Sequence, residues 1–311
     1  MVVVGGGLLG GHTACALAAA GRSVTVLSRS FAGWLRSRRS QGLKIELIEG
    51  TVPPEDQLMT LLADADAVCC FVGYSTPARS AASSLTSLTE WLLPVLSVLE
   101  AAARCGVRRA IVASSGGTIY GYARTLPTPE SDPLAPISAH GSTSIAIEAY
   151  AELYRRTEQL ETVVLRYANV YGPGERDRGE QGVVAAWCGA LALGEPLTLI
   201  GAPETRRDFL YASDAASAAV AALDACKPGV YNVGSGAATP LREVLEILAE
   251  VSGRTPEVER RQARGVDVST NELDAGLFRA CSGWVPSTSL HEGIEATWRW
   301  FSSAPAAMRS G

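Results

Sequence analysis

The chain has 311 residues, 47% apolar and 19% charged, enough for a filled core in one large domain or two closely joined ones. Its net charge of −5 excludes a nucleic-acid surface of the usual kind, which needs a basic stripe. The basic residues that do gather, Arg36, Arg38 and Arg39, make a local phosphate site or a solvated face.

The chain opens into Val2-Val3-Val4 and then glycines, with no basic leader and no cleavage box. Strands are expected at Met1–Val4, Ser23–Leu27, Lys44–Ile48, Ala67–Phe71, Arg109–Ser114 and Thr162–Tyr167. Helices are expected between them at Leu9–Ala20, Glu55–Ala63, Thr86–Cys105 and Thr143–Arg156; Pro53-Pro54 suits the start of the second. Alternation of buried strands with amphipathic helices predicts an α/β fold, a Rossmann-type doubly wound parallel sheet. After Arg166 the texture changes. Gly172-Pro173-Gly174 starts a loop, Glu175–Gly182 is charged, and Tyr231-Asn232-Val233-Gly234 reads as a late strand returning to the sheet. Arg242–Ser252 and Leu290–Phe301 are amphipathic helices. The expected division is a nucleotide-binding domain over 1–168, rejoined around 208–234, and a smaller C-terminal substrate-binding lobe over 169–311.

No run approaches roughly 18 uninterrupted apolar residues, so no membrane span is expected, and the location is read as cytoplasmic. Seven cysteines include no C-x-x-C pair, and Cys69 and Cys70 are adjacent in an apolar strand, hence on opposite faces. This predicts packed thiols in a reducing compartment rather than a disulfide frame. His12, His140 and His291 show no ligand spacing, so no metal site is expected.

Gly5-x-Gly7-x-x-Gly10, with Leu8 and Leu9 inside it, follows a strand and opens a helix, the setting a dinucleotide fingerprint needs. Gly5 suits the tight turn, Gly7 lets backbone approach a pyrophosphate, and Gly10 lets the helix pack on the sheet. The second strand ends Ser28-Arg29-Ser30, without the carboxylate that accepts bonds from an NAD ribose. Donors and a cation there favour a 2′-phosphate, and so NADP(H) over NAD.

Further motifs carry a resemblance. Ser114-Ser115-Gly116-Gly117-Thr118-Ile119-Tyr120-Gly121, Pro136-Ile137-Ser138, the run Leu165–Gly174, Arg207–Asp214, Tyr231–Gly236 and Gly283-Trp284-Val285-Pro286 occur in that order. With them the chain resembles the NAD-dependent epimerase/dehydratase family, the nucleotide-sugar branch of extended short-chain dehydrogenases/reductases. The resemblance implies a Ser/Thr and a Tyr-x-x-x-Lys pair at the reaction centre. Here the Ser/Thr slot falls on Gly116, with Ser115 and Thr118 as neighbours that could substitute. His140 takes the tyrosine slot and Ser144 the lysine slot. It further implies that Asn169, Arg207, Arg264 and Asp267 bind the diphosphate and ribose of a nucleotide sugar. The same resemblance implies a homodimer formed through the helices Thr86–Cys105 and Thr143–Arg156.

Three functions follow. With the triad gone and an NADP-type strand end, the chain resembles atypical ketoreductases of aromatic polyketide tailoring. That implies reduction of a bulky, phenol-bearing ketone whose own hydrogen bonds help protonation, the enzyme supplying mainly orientation. The alternative is a nucleotide-sugar 4-epimerase or 4-ketoreductase with His140 as its proton-transfer group, since imidazole titrates near neutrality. The third is an NADP(H)-binding protein without turnover. In each case the expected partner is a small molecule, with no nucleic acid and no membrane.

Overall fold

Alternating buried strands and amphipathic helices assemble as the pattern requires. The computed structural model describes residues 1–31, 34–36, 42–73, 84–175, 182–263, 265 and 267–303. Seven strands build the main sheet: β1 (Val2–Val4), β2 (Val24–Ser28), β3 (Ile45–Glu49), β4 (Ala67–Cys70), β5 (Arg109–Ser115), β6 (Glu161–Tyr167) and β10 (Gly229–Val233). Their order is β10-β6-β5-β4-β1-β2-β3, and every pairing is parallel. The order reverses between β1 and β4, and that switch point opens the crevice where ligands bind in such sheets.

Period-two alternation sends neighbouring residues to opposite layers. Val3, Val26, Cys69, Ile111 and Val163 pack under α1 (Leu8–Ala19) and α6 (Ala212–Ala225). Val2, Val4, Val68, Cys70 and Val112 pack under α2 (Glu55–Leu62), α3 (Ser84–Arg104) and α4 (Ala139–Thr157). Cys69 and Cys70 thus take opposite faces, as expected. α3 contains a π-helical turn over Leu88–Leu92. It is long and apolar enough to cross a membrane by length and composition alone, yet Val95, Val98, Leu99, Ala101 and Ala102 are packed inside the fold.

α4 starts four residues before its expected position. Ser138 caps it, its Oγ accepting the Gly141 N–H at 3.1 Å, so His140 and Ser144 both ride on its first turns. The small polar run 138–144 hides this start because such residues have weak helix propensity. Gly141 pays for that weakness with contact: a Cβ there would lie 2.6 Å from the Thr118 carbonyl oxygen.

Beyond Tyr167 the chain builds a second core. β7 (Asn169–Tyr171), β9 (Arg206–Tyr211) and β11 (Ala238–Pro240) form one small sheet, and β8 (Leu197–Ile200) pairs with β12 (Val258–Arg261). Trp187, Leu199, Leu248, Ile294 and Phe301 fill the space between α5 (Val183–Leu193), α7 (Leu241–Ser252) and α9 (Leu290–Ser303).

The cysteine expectation needs correcting. Cys226, at the end of α6, is disulfide-bonded to Cys281 in α8 (Gly276–Ser282), with Cα atoms 5.4 Å apart. They are 55 residues apart in sequence, and only the packing of α8 on α6 and β10 brings them together. Cys15, Cys69, Cys70, Cys105 and Cys188 are thiols.

Candidate active site

The carboxyl ends of β1, β2 and β4 open onto a cavity of about 500 Å³, lined by Gly5, Gly7, Leu8, Leu9 and Gly10 together with Ser28, Arg29 and Ser30. Gly5 has φ +101°, a conformation open to glycine, and a Cβ there would lie 2.4 Å from the Phe71 carbonyl oxygen. At Gly10 a Cβ would fall 1.7 Å from the Gly5 carbonyl oxygen, so the helix approaches the strand only without a side chain. Nothing lies within 4 Å of a Cβ built on Gly7. That open space above the N-terminus of α1 is the cradle a dinucleotide diphosphate requires, with free N–H groups and the positive end of the helix facing it. All five expected cradle residues therefore come together on one wall.

At the far rim, Ser28 and Ser30 are half-buried and Arg29 is exposed, all three on the cavity. The Ser28 hydroxyl donates to the Ser30 carbonyl at 3.0 Å, shaping the turn. A carboxylate does sit nearby. Register places Glu49 of β3 beside Ser28, but Arg36 engages it at 2.5 Å. Arg36 is thereby accounted for by an ion pair, while Arg38 and Arg39 lie outside the described residues.

At the other end the cavity reaches Ala113 and Gly73. Ser115 follows Ala113 on β5, and its Oγ accepts from the Thr118 hydroxyl at 2.8 Å. Gly116 is no vacant slot. A Cβ there would be 2.5 Å from Leu273 Cδ1 and 3.0 Å from the Arg166 carbonyl oxygen, so a serine or threonine fits only if Leu273 shifts. His140 is half-buried on the first turn of α4, its ring stacked on Trp91 with centroids 4.5 Å apart and planes at 28°. Trp91 also packs on Gly73, where a Cβ would be 2.3 Å from the indole. Ser144 is fully buried and donates to the His140 carbonyl at 3.1 Å, so its slot holds a helix-internal bond and no charge. His140, Ser115 and Thr118 lie next to the cavity wall rather than on it.

On the lobe side, Asn169 donates to the Asp208 carbonyl at 3.0 Å and to Asn271 Oδ1 at 3.3 Å. Its Oδ1 is 3.7 Å from a Cβ built on Gly117, which places it against the 115–118 turn. Arg207 donates to the Val268 carbonyl at 2.9 Å, next in sequence to Asp267. Arg264 lies outside the described residues. Three of the four expected sugar-nucleotide contacts thus fall on one stretch of the lobe.

Several residues escaped the sequence reading. Gly73, Thr89, Glu90, Gly174 and Glu175 line the cavity, and Trp91 backs it. Pro173 is tied to α1 by His12, whose Nε2 is 2.9 Å from its carbonyl oxygen. Glu175 is buried, and burial pushes its carboxyl up to about 8 against the backbone N–H groups of Gly172 and Gly182, which favour the ionised form. Beneath the reaction end, Arg166 makes a two-point ion pair with Glu148 at 2.9 and 2.7 Å, and Glu148 also accepts from Ser114 at 2.6 Å. Arg166 reaches Tyr120 at 2.7 Å, and Tyr120 donates to Asn232 at 2.7 Å. This buried chain ties β5, α4, β6 and β10 together, leaving few of its polar atoms unsatisfied.

Comparison with known proteins agrees with this geometry. The UDP-glucose 4-epimerase of Mycolicibacterium smegmatis is 36% identical over 203 residues, which is 65% of this chain and 65% of that one. The alignment thus spans just under two thirds of that relative. The structure of UDP-glucose 4-epimerase from Thermotoga maritima with UDP-glucose matches with a TM-score of 0.90 and 29% identity, over 96% of this chain and 97% of that one. The Thermus thermophilus UDP-glucose 4-epimerase in complex with NAD matches with a TM-score of 0.89 and 30% identity, over 98% and 99%. These relatives fit the nucleotide-sugar alternative better than a phenolic polyketide ketone, for which they offer no support. Residues 1–234 match the NAD dependent epimerase/dehydratase family from strand β1 to the end of β10, and the chain belongs to that family.

Proposed function

We propose that the protein oxidises and reduces C4 of a nucleotide-linked hexose, as a 4-epimerase or 4-ketoreductase, with His140 transferring the proton and NADP(H) preferred. The observation that carries this reading is the meeting of two sets of groups at the 115–118 turn. Asn169, with Arg207 and the 267–268 segment beyond it, approaches from the lobe, and the start of α4, which carries His140, meets the turn where Gly141 packs on the Thr118 carbonyl. The first set has the charge and hydrogen-bonding capacity a sugar diphosphate needs. The second supplies a group that exchanges protons near neutral pH.

A nicotinamide dinucleotide held by the glycine cradle and the Ser28–Ser30 rim would supply the hydride chemistry. The protein must handle the accompanying proton, because a sugar hydroxyl is a weak acid and its alkoxide a strong base. Ser115 and Thr118, already hydrogen-bonded to each other, offer hydroxyls to the same oxygen. Arg29, between two serines at the cavity rim, favours the cofactor with a 2′-phosphate. The similarity to epimerases crystallised with UDP-glucose and with NAD supports both halves of the site.

The test pairs ligand binding with substitution. UDP- or dTDP-hexoses at about 100 times their Kd should stabilise the protein by roughly 2.7 kcal/mol in thermal denaturation. His140→Asn should lower turnover by about 10²- to 10⁴-fold while leaving NADPH affinity intact. Wild-type turnover in that variant would overturn the proton role. Arg29→Ala should raise KM for NADPH by roughly 10- to 100-fold, the loss of one charged hydrogen bond, and barely change KM for NADH. An equal change with both would remove the 2′-phosphate reading.

A further inference from the structure

A proton-transfer group needs further groups that hold it in orientation, and at this site one neighbour with a defined geometry is aromatic. We propose that Trp91 is the positioning residue for His140, its indole plane setting the plane of the imidazole beside the reaction end of the cavity. The inference rests on the reading of His140 as the proton-transfer group.

Four observations carry it. The rings are stacked, with centroids 4.5 Å apart and planes at 28°. Trp91 is only 7% exposed, so its indole has little freedom to leave the stack. Its other contact is Gly73, where any Cβ would lie 2.3 Å from the indole; the backbone of the β4 exit is shaped around this ring. Finally, Trp91 sits in the π-helical turn Leu88–Leu92, a local irregularity that re-aims side chains and is common at functional sites.

The backbone of His140 is fixed from the opposite side. Ser138 caps the helix at Gly141, and the buried Ser144 bonds the His140 carbonyl. The ring torsion, broad and roughly two-fold for histidine, is a separate degree of freedom. A stacked indole restricts it. The same stack biases charge, because an aromatic face attracts an imidazolium, while the positive end of α4 repels it. Near the pair, Glu90 precedes Trp91 on α3, Ser138 and Ser144 bond the first turns of α4, and the Thr118 carbonyl packs on Gly141.

Indole fluorescence reads the contact directly, since a stacked imidazolium quenches an excited indole and neutral imidazole does so weakly. The experiment uses the full chain saturated with NADP, titrated from pH 5 to 9, as wild type, Trp91→Phe and His140→Asn. Because His12 also lies on Trp34, with ring centroids 4.7 Å apart, the reading is the difference between wild type and each variant, in which the Trp91 component of the quenching should be missing. A wild-type transition of unchanged amplitude in either variant, or none in wild type, would overturn the proposal. In turnover, Trp91→Leu should lower kcat about 10- to 100-fold at nearly constant cofactor Kd, and Trp91→Phe should restore most of it. In the His140→Asn background Trp91→Leu should cost nothing further, whereas an equal loss there would mean that Trp91 only fills space. Should His140→Asn itself leave turnover unchanged, the proton role of His140 fails, and the fluorescence titration still decides whether Trp91 holds the ring.

Discussion

Glu175 shows how much a single side chain can depend on its surroundings. In sequence it is one charge in a polar loop; in the fold it is a buried carboxyl raised from 4.5 to about 8. A raised folded pKa means the folded protein holds a proton that the unfolded chain releases above 4.5. The associated stability is fully present below that value and lost as pH rises through about 8. Glu175→Gln should therefore flatten the fall of stability between pH 5 and 8. By pH 9 it should leave the variant more stable than wild type, by on the order of a few kcal/mol. Urea denaturation of both proteins at pH 5.5 and 9 measures this, and parallel curves would contradict it. Cys69 and Cys70 are the opposite case, legible in advance. Burial pushes both thiols up to about 12, which fits the packed, unreactive strand residues their apolar run implies.

The glycine-led helix α1 was legible in advance, and its contacts say what each glycine does. Gly10→Ala places a methyl 1.7 Å from the Gly5 carbonyl oxygen, so α1 must move off the sheet. It should destabilise the fold by about 1–3 kcal/mol and weaken dinucleotide binding. Gly7→Ala meets nothing within 4 Å, so it should keep wild-type stability and lose binding alone by filling the cradle. Urea midpoints and NADPH fluorescence titrations separate the two effects, and a stable Gly10→Ala variant that binds normally would refute the packing role. Other elements were less readable. The start of α4 was hidden in the Ser138–Ser144 run, whose helix is set by a capping bond and by the fit of Gly141 against Thr118. The π turn of α3 has no periodicity signal, since it inserts one residue into an otherwise regular helix.

Across the whole molecule, the chain leaves the main sheet at Ala168, builds the lobe, and returns through α6 and β10. The disulfide Cys226–Cys281 fastens that return to α8 across 55 residues. Cross-linking a loop of this length restricts the unfolded chain, so Cys226→Ser should lower stability by about 2–4 kcal/mol. Thermal unfolding with and without a reductant should reproduce that loss in wild type and show no reductant effect in the variant. Elsewhere the buried pair Glu148–Arg166 holds α4 against β6, while Ser114 and Tyr120 complete its hydrogen bonds.

By itself the sequence determined the parallel sheet, the faces of its strands, the glycine cradle and the cation at the cavity rim. Each of these depends on side-chain periodicity or on a spacing short enough to lie within one strand–turn–helix unit. Tertiary structure alone decided what stands at the reaction end. Leu273 closes the Gly116 position from 157 residues away, and Trp91 stacks on His140 from another helix. The disulfide and the buried state of Glu175 belong with these. They depend on which distant segments share a volume, and that follows from the packing of whole elements, which no local pattern encodes.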